Sequence, residues 1–186
     1  MWGELFDYNE IVFCIPDKNE ADRKKTKQEL LFFNILFPEA APNRPTIVRK
    51  GESPDFTVQL VDGAMLYVEV VTAVAIAHED DAQGSLGIQQ EYRWAQIKKR
   101  KRKNKRYKTN GDDLACIVAK EVKKKQRLAE TWTEKRPVIL LVGLVGVGGL
   151  LVDIDLGKHV ESIRPFKSVI IGDGTIQTRI LRDVAE

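Results

Sequence analysis

The chain reads as an α/β domain, a sheet covered by helices, and three observations lead there. Two segments repeat apolar residues near helical spacing. One carries Leu30, Leu31, Phe33, Asn34 and Phe37, and the other Leu114, Ile117, Val118, Val122 and Leu128. Phe56, Val58 and Leu60, then Leu66, Val68 and Val70, alternate with less apolar neighbours in the two-residue period of half-buried strands. Residues 138–144 and 169–171 are short continuous apolar runs, the pattern of strands covered on both faces. A sheet with such strands must bury itself against helices.

Taken in order, residues 11–15 are an apolar extended segment, and a helix is expected over 19–36, stopped by Pro38. Residues 46–49 form a strand, 50–54 a turn, and the alternating pair a hairpin. Residues 77–87, with two glycines and His78-Glu79-Asp80-Asp81, read as a loop. A helix starts near Ile88 and runs into a basic tract; Asn110-Gly111 breaks it, and Asp112 caps the next helix, over about 113–130. A strand over 138–144, a second over 150–154, a helical turn within 155–163 and a final hairpin around Asp173-Gly174 complete the chain. The glycine-rich stretch from Gly143 to Gly149 lacks a following Lys-Ser/Thr and fits no phosphate-loop spacing.

The central hairpin carries the chemistry. Its apolar faces match best with Phe56 opposite Val68 and Val58 opposite Leu66, which closes a three-residue loop on Val61-Asp62-Gly63 with glycine in the left-handed position. That register puts Asp55 directly opposite Glu69 on the other face, and a one-residue slip would part them. Facing carboxylates repel in a sheet. A divalent ion reverses the sign, because Mg²⁺ takes carboxylate oxygens. Glu69 lies inside the apolar run 66–77 and should be buried. The plainer alternative makes Asp55 a strand-start residue after Pro54 and Glu69 a solvated strand residue.

The residues Pro54-Asp55 and Glu69-Val70-Val71, with 13 residues between the acids, resemble the motif of the PD-(D/E)XK nuclease superfamily. The order of helix, three strands, helices and returning strands resembles that family's core over most of the chain. The resemblance implies a restriction-endonuclease-like mixed central sheet flanked by helices. It also implies a Mg²⁺ (or Mn²⁺) ion held by Asp55, Glu69 and the carbonyl of Val70. A helical glutamate often joins them in the family; Glu29 is the candidate here, with Glu20 and Glu52 behind it. The family's lysine, two residues after the glutamate, is Val71 in this chain. Catalysis then needs a lysine from another element, and the following helix offers Lys120, Lys123, Lys124 and Lys125. Lys125 ranks first, three residues beyond the core-facing Val122, and Lys120 second; Lys98 and Lys101 are more distant choices. The implied activity is metal-dependent phosphodiester hydrolysis, on DNA ahead of RNA. The alternative is a catalytically inactive nucleic-acid-binding or assembly protein on the same fold.

Composition bounds these readings. The 186 residues suit a single domain with a real core, and 43% apolar with 31% charged residues is ordinary for a globular chain. Cys14 and Cys116 make no disulfide framework and no CxxC, and no basic-then-apolar leader is visible, so a reducing, cytoplasmic setting is expected. The apolar run 137–152 is glycine-broken and too short for a membrane span. His159 stands isolated in the sequence, so no Cys-His or Ser-His pairing is argued. The net charge of +3 hides an asymmetry: residues 93–127 hold 15 of the 30 Lys/Arg with only Asp112, Asp113 and Glu121 as acids. Within it, residues 98–108 carry nine positive charges in eleven positions, including Lys98, Lys101, Arg102, Lys103, Lys105 and Arg106. A solvated helix face usually mixes signs; this tract does not, and it reads as a nucleic-acid contact within the basic helical segment 88–130. Monomer and homodimer are both compatible with the sequence.

Overall fold

The computed structural model describes residues 6–14, 18–40, 44–74, 111–132, 136–145, 156–172 and 178–182. Among the described residues, seven strands form one sheet in chain order: β1 (Val12–Phe13), β2 (Ile47–Lys50), β3 (Phe56–Gln59), β4 (Met65–Val74), β5 (Val138–Val145), β6 (Phe166–Gly172) and β7 (Thr178–Arg182). The sheet is mixed. β1 runs parallel to β2, β4 to β5 and β5 to β6, while β2–β3, β3–β4 and β6–β7 are antiparallel. Among the described residues, two long helices cover it, α1 (Glu20–Ala40) and α2 (Gly111–Glu130). The chain is therefore mixed α/β, as the patterning predicts.

The alternation of strand residues sorts the core into two layers. Val48, Phe56, Val58, Val68, Val70, Leu141 and Ile170 pack with Leu30, Phe33, Leu36 and Phe37 of α1. Tyr67, Val71, Leu140, Val142, Val169 and Ile171 pack with Leu114, Val118, Val122 and Ala129 of α2. Phe33 anchors the first layer, with ring centroids 4.7 Å from Phe37 and 5.0 Å from Phe56, all three fully buried. Each such ring stabilises the fold by about 1.5–3 kcal/mol. The α1 layer also fixes Gly143, since a Cβ there would stand 2.3 Å from Cγ of Phe32.

The hairpin adopts the register that the apolar residues select, with Phe56 opposite Val68 and Val58 opposite Leu66. Leu60 N donates to Ala64 O at 2.8 Å, closing the loop on Val61-Asp62-Gly63, and Gly63 takes φ +84°. At α1, Asn19 supplies the cap: its Oδ1 accepts from Asp22 N at 3.0 Å.

Three expectations need correction. Pro38 does not stop α1, which continues to Ala40; the proline falls in the last turn, where one lost hydrogen bond is outweighed by burial of Leu36 and Phe37 just before it. Asp112 lies inside α2 rather than ahead of it, because the helix begins at Gly111. Leu128 is exposed and Ala129 takes the buried position, since the stripe Leu114, Val118, Val122, Lys125 advances by three or four residues and next reaches 129. The expected turn within 155–163 is a single 3₁₀ turn at Leu156–Lys158. The loop over 77–87, the helix from Ile88, the strand over 150–154 and the Asp173-Gly174 turn lie outside the described residues. So do Lys98, Lys101, Arg102, Lys103, Lys105 and Arg106. Among the described residues, no helix is long and apolar enough to cross a membrane.

Candidate active site

The site forms where β3 ends and β4 continues. β3 begins at Phe56, so its pairing with β4 stops at Val68 and the next residues of β4 lose their strand neighbour on that side. The turn through 51–55 folds over this gap. Gly51 N donates to Asp55 O at 3.0 Å, and Trp132 Nε1, just past α2, donates to Ser53 Oγ at 2.8 Å. Asp55 then stands in for the missing strand. Its Oδ2 accepts from Val70 N at 2.9 Å, and its own N–H donates to Glu69 Oε2 at 3.1 Å. In a strand, the N–H and C=O of one residue lie on the same edge, so Val70 turns its carbonyl toward the edge where Asp55 sits.

The Asp55 and Glu69 side chains are buried, at 2% and 1% exposed. Buried carboxylates need partners, and two lysines supply them. Lys125 of α2 donates from Nζ to Glu69 Oε1 in a short contact and stands 3.9 Å from Asp55 Oδ2. Seven residues, close to two full turns, separate Lys125 from the buried Val118, so both point at the sheet; Lys120 lies on the opposite side of the helix. The structure accordingly leaves Lys120 exposed, and it does not reach the carboxylates as the second-ranked lysine was expected to. Lys123 and Lys124 are exposed too. Val71, at the position of the family's lysine, is buried in the α2 layer.

The second lysine is one that sequence reasoning missed. Lys50, at the end of β2, is 6% exposed. Its Nζ lies 2.8 Å from Glu29 Oε2, 3.5 Å from Asp55 Oδ1 and 3.0 Å from Gly51 O, and 5.3 Å from the centre of the Phe56 ring. Glu29 projects from α1, is also buried, and meets the half-exposed Lys25 one turn earlier at 3.3 Å. The buried Glu29 Oε2 has the Lys50 ammonium as its partner. Glu20 heads α1, nine residues from Glu29, and Glu52 is exposed.

The electrostatics follow from burial: three buried carboxylates face the buried Lys50, the part-buried Lys125 and the half-exposed Lys25. Burial, then the neighbouring Asp55 charge, push the Glu69 carboxyl up to about 7 against the pull of Lys125. Burial and then Asp55 raise Glu29 as well, opposed by Lys50 and Lys25. Burial alone would lower the Lys125 ammonium, but Asp55 and Glu69 together outweigh it and raise it. The acids rise first because they are buried, and Lys125 rises because the carboxylates beside it outweigh its burial.

Such a site accepts further positive charge. Among the described residues no three His, Cys, Asp or Glu side chains form a ready-made metal cage. What is present is one carboxylate pair, Asp55 with Glu69, and a carbonyl on the same edge. This donor set fits Mg²⁺, which binds through one or two carboxylates and keeps several waters.

One further pairing was not legible in the sequence. His159 Nδ1 lies 3.5 Å from Cys116 Sγ. Cys116 is exposed and sits nine residues before Lys125, about 13 Å along the helix axis, so the pair is separate from the carboxylates. Compared with protein-family models, with curated proteins and with solved structures, the chain matches none.

Proposed function

We propose that this protein is a metal-dependent nuclease with a restriction-endonuclease-like core of the PD-(D/E)XK kind, acting on DNA in preference to RNA. The observation that carries this reading is the convergence of Asp55, Glu69 and Lys125. The two acids belong to the motif, and the lysine comes from α2 where the strand position holds Val71. In that reading Asp55, Glu69 and the Val70 carbonyl hold Mg²⁺ or Mn²⁺, which when bound activates water and stabilises charge at phosphorus. Lys125 keeps an ammonium beside the acids, placed to orient the attacking water and to neutralise the phosphoryl oxygens. Burial holds the Glu69 carboxyl up near 7, and added positive charge favours its ionised form, so metal and acid support each other. The tract 98–108 supplies the phosphate contacts. The protein would act in the cytoplasm, as a monomer or a homodimer.

The test is cleavage of labelled single-stranded, double-stranded and branched DNA and RNA with Mg²⁺ or Mn²⁺. The parent should cut at least one substrate. Asp55→Asn and Glu69→Gln should abolish cutting while leaving binding largely intact, and Lys125→Met should reduce cutting more than affinity. A parent that binds nucleic acid with every substrate left whole would favour the inactive binding or assembly protein, for which buried Val71 is the structural argument.

A further inference from the structure

Lys50 has no role in the mechanism above, yet it is the most completely enclosed cation among the described residues. Its ammonium is surrounded by the Glu29 carboxylate at 2.8 Å, the Gly51 carbonyl at 3.0 Å, the Asp55 carboxylate at 3.5 Å and the face of the Phe56 ring. Two carboxylates and a carbonyl are the donors a hard divalent cation takes. Two elements deliver them: Glu29 comes from α1, and Gly51 and Asp55 from the two ends of the turn after β2. Asp55 divides its oxygens. Oδ2 faces Val70 N and Lys125, and Oδ1 faces Lys50. One carboxylate therefore bridges two cation positions, as a shared ligand does in a two-metal site.

We infer that Lys50 is a built-in counter-ion that fills the position of a second metal, so that the protein binds one divalent ion, and that removing its ammonium opens a second divalent site between Glu29 and Asp55. The inference rests on the metal reading of Asp55 and Glu69. It also reassigns Glu29, which holds Lys50 rather than the first metal. The short distance supports this assignment: the buried Glu29 Oε2 lies 2.8 Å from the ammonium, nearer than the Gly51 carbonyl at 3.0 Å and Asp55 Oδ1 at 3.5 Å.

The experiment is Mn²⁺ titration of the full-length protein followed by electron paramagnetic resonance, in which bound Mn²⁺ loses the signal of the free ion. The parent should bind one Mn²⁺, Lys50→Met two, Lys50→Arg one, and the double variant Lys50→Met with Glu29→Gln one again. Glu29→Gln alone should leave the parent's single site within about twofold in affinity, and this arm holds even if Lys50→Met folds poorly. Two ions on the parent, a single ion on folded Lys50→Met, or a tenfold loss of affinity in Glu29→Gln would overturn the inference while leaving the metal reading standing. A parent that binds no Mn²⁺ would remove the metal reading itself, and this inference with it.

Discussion

Replacing Lys125 with methionine isolates the electrostatics of the site. Methionine keeps most of the apolar stem, so little packing is lost, but Glu69 and Asp55, both almost fully buried, lose their ammonium. Breaking a buried ion pair from one side typically costs about 3–5 kcal/mol, because the remaining charge is left unpaired. Glu69 has one escape, to take up a proton. Its carboxyl already sits at about 7 beside Lys125 and rises further without it. The loss should therefore be about 1 kcal/mol near pH 5.5, where the neutral acid forfeits only a hydrogen bond, and should grow by up to about 1.4 kcal/mol by pH 8, one unit above the carboxyl's value of about 7. Urea unfolding of the parent, Lys125→Met, and Lys125→Met with Glu69→Gln at both pH values gives the numbers. The double variant should recover most of the stability near pH 8. A loss below about 1 kcal/mol near pH 8, or one indifferent to pH, would show that Lys125 does not sit in a buried ion pair and would refute the electrostatic argument.

Glu69→Gln in the parent background tests the raised carboxyl directly. A folded-state value near 7, above the ordinary 4.5, means the native state keeps its proton longer than the unfolded chain. The stability this contributes is complete below about pH 4.5 and lost as pH rises through about 7, at up to about 1.4 kcal/mol per pH unit. Unfolding free energies for Glu69→Gln should be flatter than the parent's across that window. Gly143→Ala places a methyl against the Phe32 ring and should cost about 1–3 kcal/mol in denaturant unfolding, as overpacking does. Changing Lys101, Arg102, Lys103 and Lys105 together to serine should weaken binding to duplex DNA across sequences. It should also flatten the slope of log affinity against log salt by roughly 0.9 for each phosphate no longer neutralised, measured by titration at several salt concentrations.

The hairpin was legible because strand side chains alternate, so one set of apolar pairings selects one register and carries Asp55 to Glu69. Lys125 was legible for the same kind of reason, since the helical period that aims Val118 and Val122 at the sheet also aims the residue seven beyond Val118. Lys50 was not. It follows Arg49 at a strand end and reads as a solvated residue, and its burial depends on Glu29, 21 residues earlier, closing over it from α1. His159 and Cys116 are likewise joined only by the packing of α2 against the segment before β6. The strand order is long-range information too: β4 pairs with β5 across more than sixty residues, and no local pattern encodes which strand lies beside it.

The most direct measurement of the central claim is anomalous diffraction from crystals soaked in Mn²⁺. The account predicts one Mn²⁺ peak within coordination distance of the Asp55 and Glu69 carboxylates and the Val70 carbonyl, with the Lys125 ammonium drawn off Glu69. A peak elsewhere on the chain, or none while Lys125 stays paired with Glu69 at millimolar Mn²⁺, would contradict it.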